Sequence, residues 1–133
     1  MIVTFRSTAF NTSSPEKYFV TRRSYGSDVA NWLLNELNRV TRADATIGQK
    51  NHGWVVRFSF RETDYQFLIV YRHPEWIGSL ERNPSILDRL LHRRRRTVGP
   101  EAVLLINSIL SASELVQDVR WRPTFNRGAE LDE

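Results

Sequence analysis

The chain of 133 residues contains no cysteine. That absence removes disulfides, thiolate metal sites and cysteine nucleophiles, and it favours a reducing compartment, so a cytoplasmic location is expected. No apolar run approaches the roughly 20 residues of a membrane-spanning helix, and no membrane partner is expected. The opening "MIVTFRSTAF" has no small-residue cleavage pattern and reads as a first strand instead of a signal peptide. Lysine is also scarce: Lys17 and Lys50 stand alone, and arginine supplies the rest of the 19 cationic side chains. Arginine suits bidentate contacts to phosphate or carboxylate, although genome composition could produce the same bias.

Several catalytic signatures are missing as well. No Gly-x-Ser-x-Gly elbow occurs, and Gly48 and Gly53 flank "QKNH", which is neither a phosphate-binding loop nor a dinucleotide fingerprint. His52, His73 and His92 are the only histidines, and no HxH, HExxH or Glu-x-x-His spacing brings two onto one helix face. No metal site, no cofactor and no catalytic residue is assigned on these grounds, and an enzyme is the less favoured reading. An enzymatic alternative would need a concave site where His73 or His52 meets a carboxylate.

What is present is an ordinary globular composition, 41% hydrophobic and 26% charged. A chain of this length buries roughly two thirds of the surface its unfolded form exposes, enough for one core. A single α+β domain is expected over residues 1-125, with a frayed tail over 126-133. Val3 and Phe5 alternate with Thr4 and Arg6 in a first strand near 2-8. A polar stretch follows, whose Tyr18, Phe19 and Val20 imply an ordered loop packing back on the domain. Ser27 is a fitting N-cap, and Val29, Leu33, Leu37 and Val40 recur at helical spacing. From Trp54 the period becomes two. Trp54, Val56, Phe58 and Phe60 oppose Val55, Arg57, Ser59 and Arg61, and Glu62 to Asp64 connects to a partner strand with Tyr65, Phe67, Ile69 and Tyr71 on one side. Trp76 to Leu80 completes a three-strand meander. Asn83-Pro84 opens a second helix with Ile86, Leu87, Leu90 and Leu91 as its apolar stripe, Pro100 opens a third, and a last strand covers 116-121. The expected order is strand, helix, three-strand meander, two helices, strand, in a mainly antiparallel sheet.

Three sets of residues are candidates for binding. Arg57, Arg61, Leu68, Val70 and Arg72 would share the sheet face opposite the aromatics, leaving apolar surface beside cations; a protein partner, a homodimer or the early loop would cover it. The run Arg93, Arg94, Arg95 and Arg96 accounts for the whole excess of 19 basic over 15 acidic residues. Four consecutive arginines cannot share one helix face at ~100° steps, so a charged helix end explains them, and nucleic-acid binding is the alternative. Third, "SYGSD" could present backbone N–H groups to an anion, with Arg22, Arg23, Gly26 and Ser27 as its residues.

The order of "SYGSDVANWLLNELNR", "HGWVVRFSF", "YRHPEWIGSLERN" and "DVRW" resembles that of a family of short, uncharacterised bacterial single-domain proteins. The resemblance implies one compact bacterial domain and transfers no activity. The functional expectation is therefore a non-enzymatic binding or accessory protein acting through a protein surface.

Overall fold

The computed structural model describes residues 1–21, 24–83 and 98–123. The expected second helix, the arginine run, Arg22, Arg23 and the tail lie outside them. The described residues form an α+β fold of two helices and one six-stranded sheet with neighbour order β2-β3-β4-β5-β1-β6. The strands are β1 (Ile2–Arg6), β2 (Thr46–Lys50), β3 (Gly53–Phe60), β4 (Thr63–Arg72), β5 (Glu75–Arg82) and β6 (Gln117–Arg122); the helices are α1 (Ser27–Val40) and α2 (Pro100–Ala112). Every strand pair is antiparallel. Neither helix is long and apolar enough to cross a membrane.

The meander has four strands where three were expected, because β2 precedes β3. Its sequence, TIGQK, offers one apolar residue, Ile47, and its position at the sheet edge explains why. An edge strand needs little apolar surface and gains from polar side chains that discourage further pairing. The β3–β4 connection also differs. Arg61 and Glu62 alone form the turn, with Phe60 opposite Thr63 and positive φ of 51° and 63°. Two left-handed central residues match the twist of the flanking strands, the geometry Asn-Gly usually supplies.

One face of the sheet carries Val3, Phe5, Trp54, Phe67, Ile69 and Trp76 into a shared core with both helices. Helix α1 contributes Val29, Ala30, Leu33 and Leu37, while Val40 at its end is 45% exposed. The residue before the helix is Gly26 at φ 121°, a conformation that disfavours side chains, and Ser27 is the first helical residue and not the cap. On the exposed side of α1, Arg39 donates two hydrogen bonds to Glu36, which hold the Glu36 carboxyl below its usual range. A depressed carboxyl adds stability above its unfolded pKa that disappears on acidification; at this exposed pair the contribution is small.

Helix α2 starts at Pro100 and buries Ala102, Ile106, Ile109 and Leu110, with Leu104 left 66% exposed. It lies beside the edge strand β6. Trp121 Nε1 donates to Asn107 Oδ1 at 2.9 Å and ties the two together. Replacing Asn107 by alanine is expected to lower unfolding free energy by about 1–2 kcal/mol, since the partly buried indole N–H loses its acceptor. Urea denaturation followed by circular dichroism measures this.

The loop after β1 is fastened at several points. Asn11 N donates to Asp28 Oδ2 at 2.7 Å, Val20 N to Gln49 Oε1 at 2.6 Å, and Thr21 Oγ1 to Asn51 O at 2.6 Å. Trp54 Nε1 donates to Ser24 O at 2.7 Å, in a buried setting. Phe10 meets Trp32 and Trp76, and Phe19 meets Tyr25 and Trp54. These contacts place the loop on the aromatic side of the sheet, away from Leu68 and Val70.

Candidate binding surface

The register defines the second sheet face row by row. Val55 lies opposite Leu68, Leu68 opposite Ser79, Ser79 opposite Ile2, and Ile2 opposite Arg122. In the next row Gly53, Val70, Ile77, Thr4 and Arg120 follow one another. Alternation puts all of these on the side opposite Trp54, Phe67 and Trp76. The centre of the face is apolar: Val55 and Ile2 are buried, and Leu68, Val70 and Ile77 are half-buried. Neither α1 nor α2 lies on this side, since both pack into the aromatic core.

Cations flank the apolar centre. Arg57 sits at one end, in a row with Gln66 and Glu81, and Arg72 at the other, opposite Glu75. Gln66 donates to Glu81 at 3.0 Å. Among the described residues no hydrogen bond or ion pair engages the guanidinium of Arg57, Arg72 or Arg120. Two depressions mark the face. One of about 370 Å³ is lined by Gly53, Val55, Gln66, Leu68 and Val70 together with the β2–β3 turn. The other, of about 400 Å³, involves Thr4, Arg72, Glu75, Ile77, Arg120 and Arg122.

Four of the five residues expected to share this face therefore do: Arg57, Leu68, Val70 and Arg72. Arg61 does not. Its guanidinium carbon stands 5.3 Å from the centre of the Phe60 ring, in the left-handed turn that interrupts the alternation. Arg120 was missed because β1 lies next to β5 and β6 only through pairings distant in sequence, whereas Ile77, opposite Val70 in the local β4–β5 pairing, follows from alternation along the expected third meander strand and was overlooked. The early loop does not cover the face.

For the remaining candidates, Gly26 and Ser27 are buried. A Cβ on Gly26 would meet Trp54, Ile69 and Trp76 at 3.4–3.5 Å, and the Ser27 hydroxyl hydrogen-bonds with that of Tyr18 at 2.9 Å. Arg22, Arg23 and the run Arg93, Arg94, Arg95 and Arg96 lie outside the described residues. His52 and His73 do converge on one cavity, but no Asp or Glu is among the described residues lining it. Among the described residues no three His, Asp or Glu side chains come together as a metal set. Comparison with protein-family models, curated proteins and solved structures finds no match, so the chemistry of this surface rests on its own residues.

Proposed function

We propose that this is a non-enzymatic, cytoplasmic bacterial binding protein, and that it recognises a protein partner through the second sheet face. The observation that carries the reading is the combination of an apolar centre at Leu68, Val70 and Ile77 with guanidiniums at Arg57, Arg72 and Arg120 that have no partner among the described residues. Apolar side chains around a central patch with arginine at the rim are the composition of a recognition surface. Charge complementarity specifies the partner: an apolar patch bordered by carboxylates, which Arg can grip bidentately. A single-stranded RNA partner is less well matched, because stacking needs exposed rings and the aromatics of β3, β4 and β5 all lie on the core side.

The test places a photo-crosslinking amino acid at Leu68 or, as a control on the exposed side of α1, at Asn35. A heterologous adduct at position 68 is expected, absent at 35 and reduced about tenfold or more by Arg57→Glu, Arg72→Glu and Arg120→Glu together, since opposed charges at a rim weaken capture. Equal yields at both positions, or indifference to charge reversal in a variant with unchanged melting, would overturn the reading. An adduct of twice the chain's own mass would replace the acidic partner with a second copy.

A further inference from the structure

The ends of β3 and β4 are not level. The last β3 pairing is Gly53 with Val70, whereas β4 continues through Tyr71 and Arg72, which pair only with β5. This two-residue overhang leaves a notch at the end of the sheet. The β2–β3 turn and the β4–β5 turn lie at that same end, because alternate turns of a meander do, so His52 and His73 border the notch from opposite sides. The early loop closes its third side with Thr12 and Tyr25. The result is a cavity of about 550 Å³, within the range of small-molecule sites.

Its chemistry is divided. Tyr25, Tyr71 and Val70 give it an apolar wall; His52, Arg72, His73 and Thr12 give it donors. Tyr71 and His73 are coupled by a 3.0 Å hydrogen bond between the phenol and Nδ1, and when the phenol donates, the ring proton sits on Nε2. Arg72 faces Glu75 across the strands without forming an ion pair, and His52 has no partner among the described residues. Polar residues from three separate segments thus line one cavity, and no carboxylate is among its described lining residues.

We infer that this notch binds a small organic phosphate, a phosphate monoester carried on a planar ring. Three terminal oxygens can accept separately from the Arg72 guanidinium and the two imidazoles, which two carboxylate oxygens cannot do as fully. The tyrosine wall supplies the surface for the ring. This site is distinct from the protein-binding face in ligand and in Tyr25, Tyr71 and His73, whereas His52 and Val70 also line one depression of that face and Arg72 lines the other.

The test uses the full chain at neutral pH, titrated with inorganic phosphate and with uridine 5′-monophosphate, read by amide and imidazole chemical shifts. Shifts are expected at His52, Arg72 and His73, with the nucleotide binding more tightly than phosphate. Arg72→Gln and His73→Asn should each weaken nucleotide binding by about tenfold, the order expected for losing one hydrogen bond to a charged group. Arg57→Gln, on the sheet face alone, should leave it unchanged. Absence of shifts up to roughly 10 mM nucleotide, beyond the weak end of specific affinity, would overturn the inference. So would shifts spread over the basic surface, or binding weakened equally by Arg57→Gln, either of which would mean diffuse ionic attraction. Since His73→Asn touches only the notch and Arg57 only the face, failure of one proposal is distinguishable from failure of the other.

Discussion

Trp76→Ala is expected to lower the unfolding free energy by about 4 kcal/mol, toward the upper part of the range for removing a buried aromatic. The Trp76 side chain is fully buried. Its ring lies 4.9 Å from that of Tyr71 and 6.3 Å from that of Phe10, and Gly26 packs against its edge. It therefore joins β5 to the early loop and to the entrance of α1, and alanine would leave a void that three separately anchored segments must shrink to fill. Trp76→Phe should cost far less, because the indole N–H is buried with no hydrogen-bond partner among the described residues and its removal relieves an unpaid desolvation. Trp54→Phe is the matched comparison. There the N–H donates to Ser24 O at 2.7 Å, so the same substitution strands a buried carbonyl. Urea denaturation of the three variants should rank the losses as Trp76→Ala, then Trp54→Phe, then Trp76→Phe. A Trp76→Phe loss as large as that of Trp54→Phe would show that ring size, and not hydrogen bonding, separates the two sites.

The same residues explain how far the fold was legible in advance. Alternation in β3 and β4 assigned Trp54, Phe67 and Ile69 to one face and Arg57, Leu68 and Val70 to the other, because a two-residue period permits only two faces. The helical stripe Val29, Leu33, Leu37 was equally direct. Two kinds of information were not local. An edge strand such as β2 carries almost no apolar pattern, and a turn built by Arg61 and Glu62 lacks the Asn-Gly signal, so alternation was carried one residue too far, onto Arg61. The insertion of β1 between β5 and β6 is decided by core packing across the whole chain, which is why Arg120 was not joined to the candidate face; Ile77 was within reach of the local β4–β5 alternation. The notch depended on the first. With β2 unrecognised there was no β2–β3 turn to place His52 at the same end of the sheet as His73.

Gly78→Ala should be destabilising by about 3 kcal/mol, the upper end of ordinary overpacking costs. Strand propensity predicts the opposite sign, since alanine loses less backbone entropy than glycine on folding. Space decides between them. Gly78 lies on the core side of β5, opposite Ile69 on β4 and Val3 on β1, and the Phe67 ring covers it. A Cβ there would stand 2.1 Å from the ring's Cζ and 2.7 and 2.9 Å from its two Cε atoms. Phe67 is itself fully buried, so the ring cannot swing into solvent. Gly48→Ala makes the contrast: its Cβ would meet the end of the Arg57 side chain at 3.1 Å, a group able to move aside, and little stability should be lost. Phe67→Leu in the Gly78→Ala background should recover part of the loss, giving a double-mutant coupling above about 1 kcal/mol between directly touching residues. Should Gly78→Ala fail to fold alone, the double variant still folds if the ring is the obstacle. A neutral Gly78→Ala, or additive effects of the two substitutions, would mean that the ring is free to move and that the core between β4 and β1 is less tightly filled than its burial implies.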